Sequence, residues 1–354
     1  MAISSSAKYA LGVCGAVVIL ASCSSGGSQL APTTMPQNAF QSGVNAQSLS
    51  STVATKSGDA IVYPDHRRSW MDPDSKRDDL LYVSDQNAGD VYVYSWPAGK
   101  LEGTLTGFSS PQGLCVDKAG DVWIVAEFGT VVEYAHGGTT PIATLSGEPG
   151  YVLNGCSVDP TTGNLAVTSA NAKGSSGPGH VSIYQNARGT PKIYSDSQLF
   201  FWYFLGYDND GNLFVDGVNK TKTENKFGFA ELPKGKHTFT NITLNRHILS
   251  PGGVQWVGKS IAVGDQGSYN GSPMIYTFRI SGRRGVAVST IPLTRKLGAE
   301  VPQFWIEGKR VVGPDFGSCD VGFYHYPAGG KPYKIIRMKI NVNKPVGATV
   351  SRAS

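Results

Sequence analysis

The sequence predicts an all-β protein, and three observations carry that prediction. Only 16% of the 354 residues are charged, while 44 are glycine, 20 proline and 10% aromatic. A soluble domain usually carries roughly 25% charged residues, so this is a composition of tight turns and strands buried on both sides. Residues 111–147 (PQGLCVDKAGDVWIVAEFGTVVEYAHGGTTPIATLSG) divide into four short apolar runs separated by Gly, Asp and Pro, as consecutive antiparallel strands do. The opening run of that unit then recurs along the chain. No amphipathic helical period follows residue 23, which disfavours a two-domain α/β chain. The net charge of +5 comes without a dense basic run, so nucleic-acid binding has no electrostatic footing.

Taken in order, residues 1–22 form the first element. Lys8 and the start amine precede an apolar stretch of 13 residues, Tyr9–Ala21. A membrane span needs about 20, so the stretch reads as the core of a signal peptide. Its end, Leu20-Ala21-Ser22-Cys23, resembles the lipobox of bacterial lipoproteins. That resemblance implies cleavage before Cys23, lipidation of its thiol, and an exported protein held by its lipid in the bacterial cell envelope, at the outer membrane or cell surface. An ordinary signal peptide ending near a Cys is the alternative. Residues 23–58, rich in Ser, Gly, Gln and Pro, cannot bury a core and read as a flexible tether. Residues 59–79 include Ile61, Val62, Tyr63, Trp70 and Met71, apolar enough for a lead-in lying against the domain.

From residue 80 the chain repeats with a period of about 40–50 residues. The opening strand has six copies: PQGLCVD (111–117), LNGCSVD (153–159), YFLGYDND (203–210), PGGVQWVG (251–258), PQFWIEG (302–308) and PVGATVS (345–351). Each of the first five leads through a tight turn into a second apolar strand. The sixth has no successor, whereas residues 80–107 supply second, third and fourth strands with no first strand before them. The repeat is circularly permuted across the termini, which is the logic of a closed ring, because stacked blades must bury both faces. The prediction is a six-bladed β-propeller of four-stranded antiparallel blades over residues 80–351, monomeric, closed by a blade shared between N- and C-terminal strands. Five or seven blades would require a misread copy.

The segments P-x-G-L-x-V-D (111–117), D-V-W-I-V-A-E (121–127) and L-Y-V-S-D (81–85) resemble the NHL and SMP-30/gluconolactonase/TolB-like superfamily of six-bladed propellers. The resemblance implies the fold and leaves the activity open, since such propellers host hydrolases, lyases, dehydrogenases and binding scaffolds. SMP-30-like lactonases hold a metal with one Glu, two Asn and one Asp, the Glu lying in an E-G-P-x-W segment that opens the first blade. This chain has no such segment; Trp305-Ile306-Glu307-Gly308 carries the letters in another order and place. Streptogramin-lyase-like propellers use a His near the axis. Here His136, His180, His237, His247 and His325 are scattered, with His247 the best placed.

Candidate site residues follow from the repeat. The residue after each second strand is Asp85, Glu127, Asn171, Asp216, Asp265 and Asp315, a possible ring at the channel mouth. Clustered carboxylates hold Ca²⁺ or another divalent cation, or shift one carboxyl toward acid/base use. The same residues also serve as Asx-type turn acceptors bracing the blades. The aromatic run Phe200, Phe201, Trp202, Tyr203, Phe204, read as a loop, either packs between blades or joins Tyr151 and Tyr269 in lining a pocket for a sugar or aromatic ligand. Arg295 falls in an inter-blade loop, as an anion contact or a solvated cation. Once the signal is removed, Cys115, Cys156 and Cys319 remain beside Cys23. At most one pair can form among the three; a Cys115–Cys156 bridge and free buried thiols both stay open. No C-x-x-C spacing supports zinc. Two functional readings result. One is a scaffold binding a small molecule, glycan or protein on its loop face. The other is a metal-dependent hydrolase or lyase of SMP-30 type.

Overall fold

The computed structural model describes residues 68–172, 177–220, 225–267, 271–339 and 342–353. The expected signal peptide, Cys23, the tether, residues 59–67 and Tyr269 lie outside the described residues.

Six antiparallel sheets follow one another along the chain. Blade 1 takes Leu80–Asp85, Asp90–Ser95 and Leu101–Thr106 and receives Pro345–Ser351 as its innermost strand. Blade 2 runs Pro111–Val116, Val122–Ala126, Thr130–Tyr134 and Pro141–Ser146; blade 3 runs Tyr151–Val158, Leu165–Ala172, Pro178–Tyr184 and Lys192–Tyr194. Blade 4 holds Phe201–Tyr207, Leu213–Lys220, Asn225–Leu232 and Thr240–Asn241. Blade 5 holds Pro251–Val257, Ser260–Asp265, Met274–Ser281 and Arg284–Pro292, with Thr243–Leu244 added in parallel at its outer edge. Blade 6 holds Trp305–Glu307, Arg310–Asp315, Asp320–His325 and Gly329–Arg337. Each inner strand touches the inner strand of the next blade, and that of blade 1 touches both blade 2 and blade 6. The fold is a six-bladed β-propeller.

Closure runs as the permuted repeat predicts. Leu80 pairs with Ser351 and Val83 with Ala348. Every residue of Leu80–Asp85, Asp90–Ser95 and Pro345–Ser351 is buried. Strands covered on both faces need apolar runs rather than alternation, which is why these segments read as blocks. Between blades 1 and 2, Leu80, Tyr82 and Val93 meet Leu114, Val122 and Ile124. Between blades 4 and 5, Phe204, Phe214 and Phe229 meet Ile261, Val263 and Phe278. Among the described residues, Trp70–Met71 lies outside blade 1, pairing with Thr104 and Gly103.

The glycine of the opening P-x-G has a steric cause. A Cβ on Gly113 would lie 2.8 Å from Asn154 O, and one on Gly347 would lie 2.5 Å from Gln112 O. Neighbouring inner strands touch backbone to backbone there, which only glycine permits. Gly113 lies against Asn154 and Gly155, so two residues further on Cys115 meets Cys156. Their Cα atoms are 5.6 Å apart and they form a disulfide between blades 2 and 3. Counting by repeat position alone places them one step apart; the stagger of the two strands brings them together.

The aromatic run differs from the loop reading. Phe201–Tyr207 is the inner strand of blade 4. Trp202, fully buried, packs with Leu199, Leu205 and Val181 between blades 3 and 4, while Phe204 packs on the blade 5 side. The bulge between Trp202 and Leu205 breaks the strict alternation, so Trp202 and Leu205 face blade 3 while Tyr203 and Phe204 face blade 5, and the run is mainly blade packing.

Candidate functional site

In this topology the turns between second and third strands and the connections between blades share one face, called here the loop face. Main-chain bonds tie the two sets together: Gln86 N–H donates to Lys344 O, Glu127 N–H to Ser110 O, Gln266 N–H to Ser250 O and Phe316 N–H to Glu300 O.

The six residues expected to ring the mouth do not form one ring. Asp85 pairs across from Pro345 and Asp265 from Pro251, at the start of the inner strand. The residues at that station in blades 3 and 4 are Ser169, opposite Leu153, and Gly217, opposite Trp202. The second strands of these blades, Leu165–Ala172 and Leu213–Lys220, run past that station, so counting to the apparent strand end overshoots at Asn171 and undershoots at Asp216. Asn171 lies inside the strand, opposite Val152 and Pro178. Asp216 is wholly buried, opposite Phe229.

Where aspartates do hold the station, their oxygens are committed. Asp85 Oδ1 accepts N–H groups from Asn87 (3.1 Å), Ala88 (2.9 Å) and Lys344 (2.9 Å), and Oδ2 accepts from Asn343 Nδ2 (2.6 Å). Burial raises its pKa against the pull of those bonds. Asp265 accepts from the Leu249 N–H (3.0 Å) and the Ser250 N–H (3.1 Å). Asp315 accepts from the Glu300 N–H (3.1 Å), the Ser318 N–H (2.9 Å) and Arg295 Nε (2.8 Å). All three receive main-chain donors from the segment entering the inner strand of their own blade. Glu127 instead accepts from Ser110 Oγ (2.5 Å) and Gln112 Nε2 (3.2 Å), with Ser110 in the left-handed region at φ 56°.

Among the described residues, no three acidic groups of the loop face converge. The one such cluster lies on the opposite face of blade 2, where Asp117, Asp121 and Glu133 bring carboxylate oxygens within 4.8 Å of one another. Burial, then Asp121 and Asp117, push Glu133 up to about 7. Asp117 Oδ1 is spent on the N–H groups of Ala119 (2.8 Å) and Asp121 (2.9 Å).

The other predicted residues scatter. His247 and Arg246 are exposed. Phe200 and Phe201 meet edge to face at 4.9 Å, and Tyr203 is half-buried, with burial raising its phenol pKa. Tyr151 packs edge-on at 4.5 Å against His180. That histidine is buried, 3.1 Å from Glu148 Oε2, and burial lowers its pKa. Arg295, read from sequence as a loop cation, is a buried partner of Asp315 and Asp320. Lys344 Nζ sits 4.5 Å over the Phe316 ring.

No protein-family profile matches this chain, and no curated protein matches it in sequence. Solved structures do match in fold. A chain from the crystal structure of a nidogen/laminin complex superposes with a TM-score of 0.62 at 11% identity, covering 78% of this chain and 99% of that one. A Bacteroides caccae protein of unknown function superposes with a TM-score of 0.57 at 10% identity, again over 78% and 99% of the two chains.

Proposed function

We propose that this propeller is an exported, lipid-anchored scaffold whose loop face binds another protein. The position of its exposed apolar surface carries the reading. Leu297, Leu249 and Phe128, at 82%, 63% and 59% exposure, are the most exposed large hydrophobic side chains among the described residues, and all three lie in loop-face segments. Apolar side chains presented by a rigid scaffold supply contact area for a macromolecular partner. The carboxylates of that face brace its loops, which favours binding over metal-dependent hydrolysis. Among propellers of this architecture, one is a chain in a nidogen/laminin complex, so the fold is compatible with service in a protein assembly. The P-x-G-L-x-V-D and L-Y-V-S-D segments suggest the NHL and SMP-30/gluconolactonase/TolB-like group, without the lactonase metal set. Cys23 would carry the lipid, with residues 24–58 as the tether to the bacterial envelope.

The test places the photocrosslinker p-benzoylphenylalanine at Phe128, Leu249 or Leu297 of the full chain, in cells that produce it. Ile142 and Ile193 on outer strands, also exposed, serve as controls. A discrete adduct from the loop-face positions alone is expected. Equal adducts at all five positions, or none, would overturn the reading. So would one equivalent of tightly bound divalent cation in the purified protein together with lactone hydrolysis.

A further inference from the structure

Blades 5 and 6 differ in charge from the blades before them. Residues 242–337 hold twelve Lys and Arg against five Asp and Glu, whereas residues 111–241, blades 2 to 4, hold nine against twelve. The acids of blades 5 and 6 are accounted for. Asp265, Glu300, Asp315 and Asp320 stand at the loop-face end, the last two held by Arg295. Glu307 is held by Arg352. Six of the cations gather at the other end of the strands. Lys259 lies in the turn between the first and second strands of blade 5, and Lys309 and Arg310 at the same turn of blade 6. Arg283 and Arg284 form the turn between the third and fourth strands of blade 5, and Arg279 stands beside it. All six are exposed, and none has an ion-pair partner among the described residues.

The turns themselves do not require this charge. The equivalent turns of blades 2, 3 and 4 open with Asp117, Asp159 and Asp208, whose carboxylates accept N–H groups within the turn. Blades 5 and 6 turn instead on Gly258 and Gly308, at φ 63° and 58°, and a lysine follows each. Packing brings the two turns together, because just before them Gln255 clasps Ile306 by both its amide groups (2.7 and 2.9 Å). Exposed apolar side chains interleave with the cations. Val286 stands opposite Arg279 on the outer strand of blade 5, two residues after Arg284, and Val288 follows it. Tyr333 and Ile335 are exposed on the outer strand of blade 6, beside Lys331. A bridge between Leu293 and Gly330 joins the two outer segments.

We infer that the side of blades 5 and 6 opposite the loop face docks on an anionic phospholipid surface. The cations meet headgroup phosphates, and Val286, Val288, Tyr333 and Ile335 meet the acyl boundary. A soluble polyanion takes the cations and leaves the apolar side chains in water, whereas a bilayer interface takes both. One acyl chain alone holds a protein only marginally, and a basic surface is the second signal that makes attachment stable. The loop face, at the other end of the strands, then points away from the membrane. The inference does not rest on a partner being bound there.

The experiment uses the full chain with Cys23→Ser, which removes the acylation site. It measures partition coefficients on vesicles of phosphatidylcholine alone and of phosphatidylcholine with about a third phosphatidylglycerol. A higher coefficient on the anionic vesicles, falling with added salt, is expected. Each cation at such a surface contributes about fivefold, so Arg283→Glu with Arg284→Glu, or Lys309→Glu with Arg310→Glu, should lower that coefficient by roughly 25-fold or more. Val286→Ser with Tyr333→Ser should lower it and leave its salt dependence in place. Lys296→Glu, an exposed cation of the loop face, should leave it nearly unchanged. Circular dichroism melts establish that each variant folds, and if one reversed pair does not, the other decides. Equal coefficients on the two vesicle types, an equal loss with Lys296→Glu, or capture by heparin without capture by vesicles would overturn the inference. Each of these results leaves the loop-face crosslinking untouched, so the two readings fail separately.

Discussion

Replacing Gln303 by alanine tests how the ring is fastened at its centre. Gln303, buried in the segment entering blade 6, sends its amide across the inner strand of blade 1. There Nε2 donates to Leu114 O (2.8 Å) and Oε1 accepts the Leu114 N–H (3.0 Å). Gly347 lies beneath, where a Cβ would come within 2.8 Å of Gln303 Oε1. One side chain thus ties blade 6 to blade 2 over the strand contributed by the C-terminal segment. In Gln303→Ala both Leu114 groups lose their partner. Each buried backbone group left unpaired costs about 1–3 kcal/mol, so the loss should be about 2–6 kcal/mol, tending to the lower end where water fills the space. Gln303→Glu keeps an acceptor for the N–H but sets a carboxylate against Leu114 O. It should match the alanine variant near neutral pH and recover in acid. Gln255 makes the same clasp on Ile306 (2.7 and 2.9 Å) but is only half-buried, so Gln255→Ala should lose less. The assay is urea unfolding followed by tryptophan fluorescence and circular dichroism. A Gln303→Ala loss below about 0.5 kcal/mol, the range of a neutral surface change, with unchanged denaturant slope, would refute the clasp as a closure element.

Two further outcomes follow from the same geometry. The Cys115–Cys156 bridge spans a sequence separation of 41; the chain-entropy relation for a loop of that size gives about 4 kcal/mol. Complete reduction, or Cys115→Ala with Cys156→Ala, should lower Tm markedly, and an unchanged Tm after verified reduction would exclude the bridge as a brace. Burial and the neighbouring Asp121 and Asp117 push Glu133 up from its ordinary 4.5 to about 7 in the folded protein, so it binds more protons folded than unfolded in that window and its contribution falls as pH rises through it. Glu133→Gln should melt with wild type at about pH 4 and above it at about pH 8; superimposed curves at both pH values would refute the shift.

Blade architecture was legible because its causes are local. The segment PVGATVS at 345–351 carries no charge and only two small hydroxyl residues because Pro345–Ser351 is covered on both sides. Its glycine is there because Gln112 O leaves no room for a Cβ. Blade 4 was harder to read because Trp202, Tyr203 and Phe204 replace the P-x-G. Its opening turn is marked by neither proline nor glycine, so 203–210 reads as strand while its first residues, Phe201 and Trp202, pass for a loop.

The site was less legible because register decides it, and a slip of one residue moves a side chain to the other face of a blade. Asp216 illustrates this: by sequence it belongs with Asp85 and Asp265, and by pairing it belongs with Ser84 and Thr168. At the mouth, donors from Lys344, Asn343, Leu249 and Ser250 favour the charged carboxylate. One residue inward, Asp216 is fully buried, and burial raises its pKa against the pull of the Phe204 N–H. Ser169 and Gly217 at the mouth of blades 3 and 4 show that the ring closes without a carboxylate there. Acidity along this position therefore reports the path of each entering loop. The same face also presents three largely exposed apolar side chains, Phe128, Leu249 and Leu297, and the proposed protein contact rests on them rather than on its carboxylates.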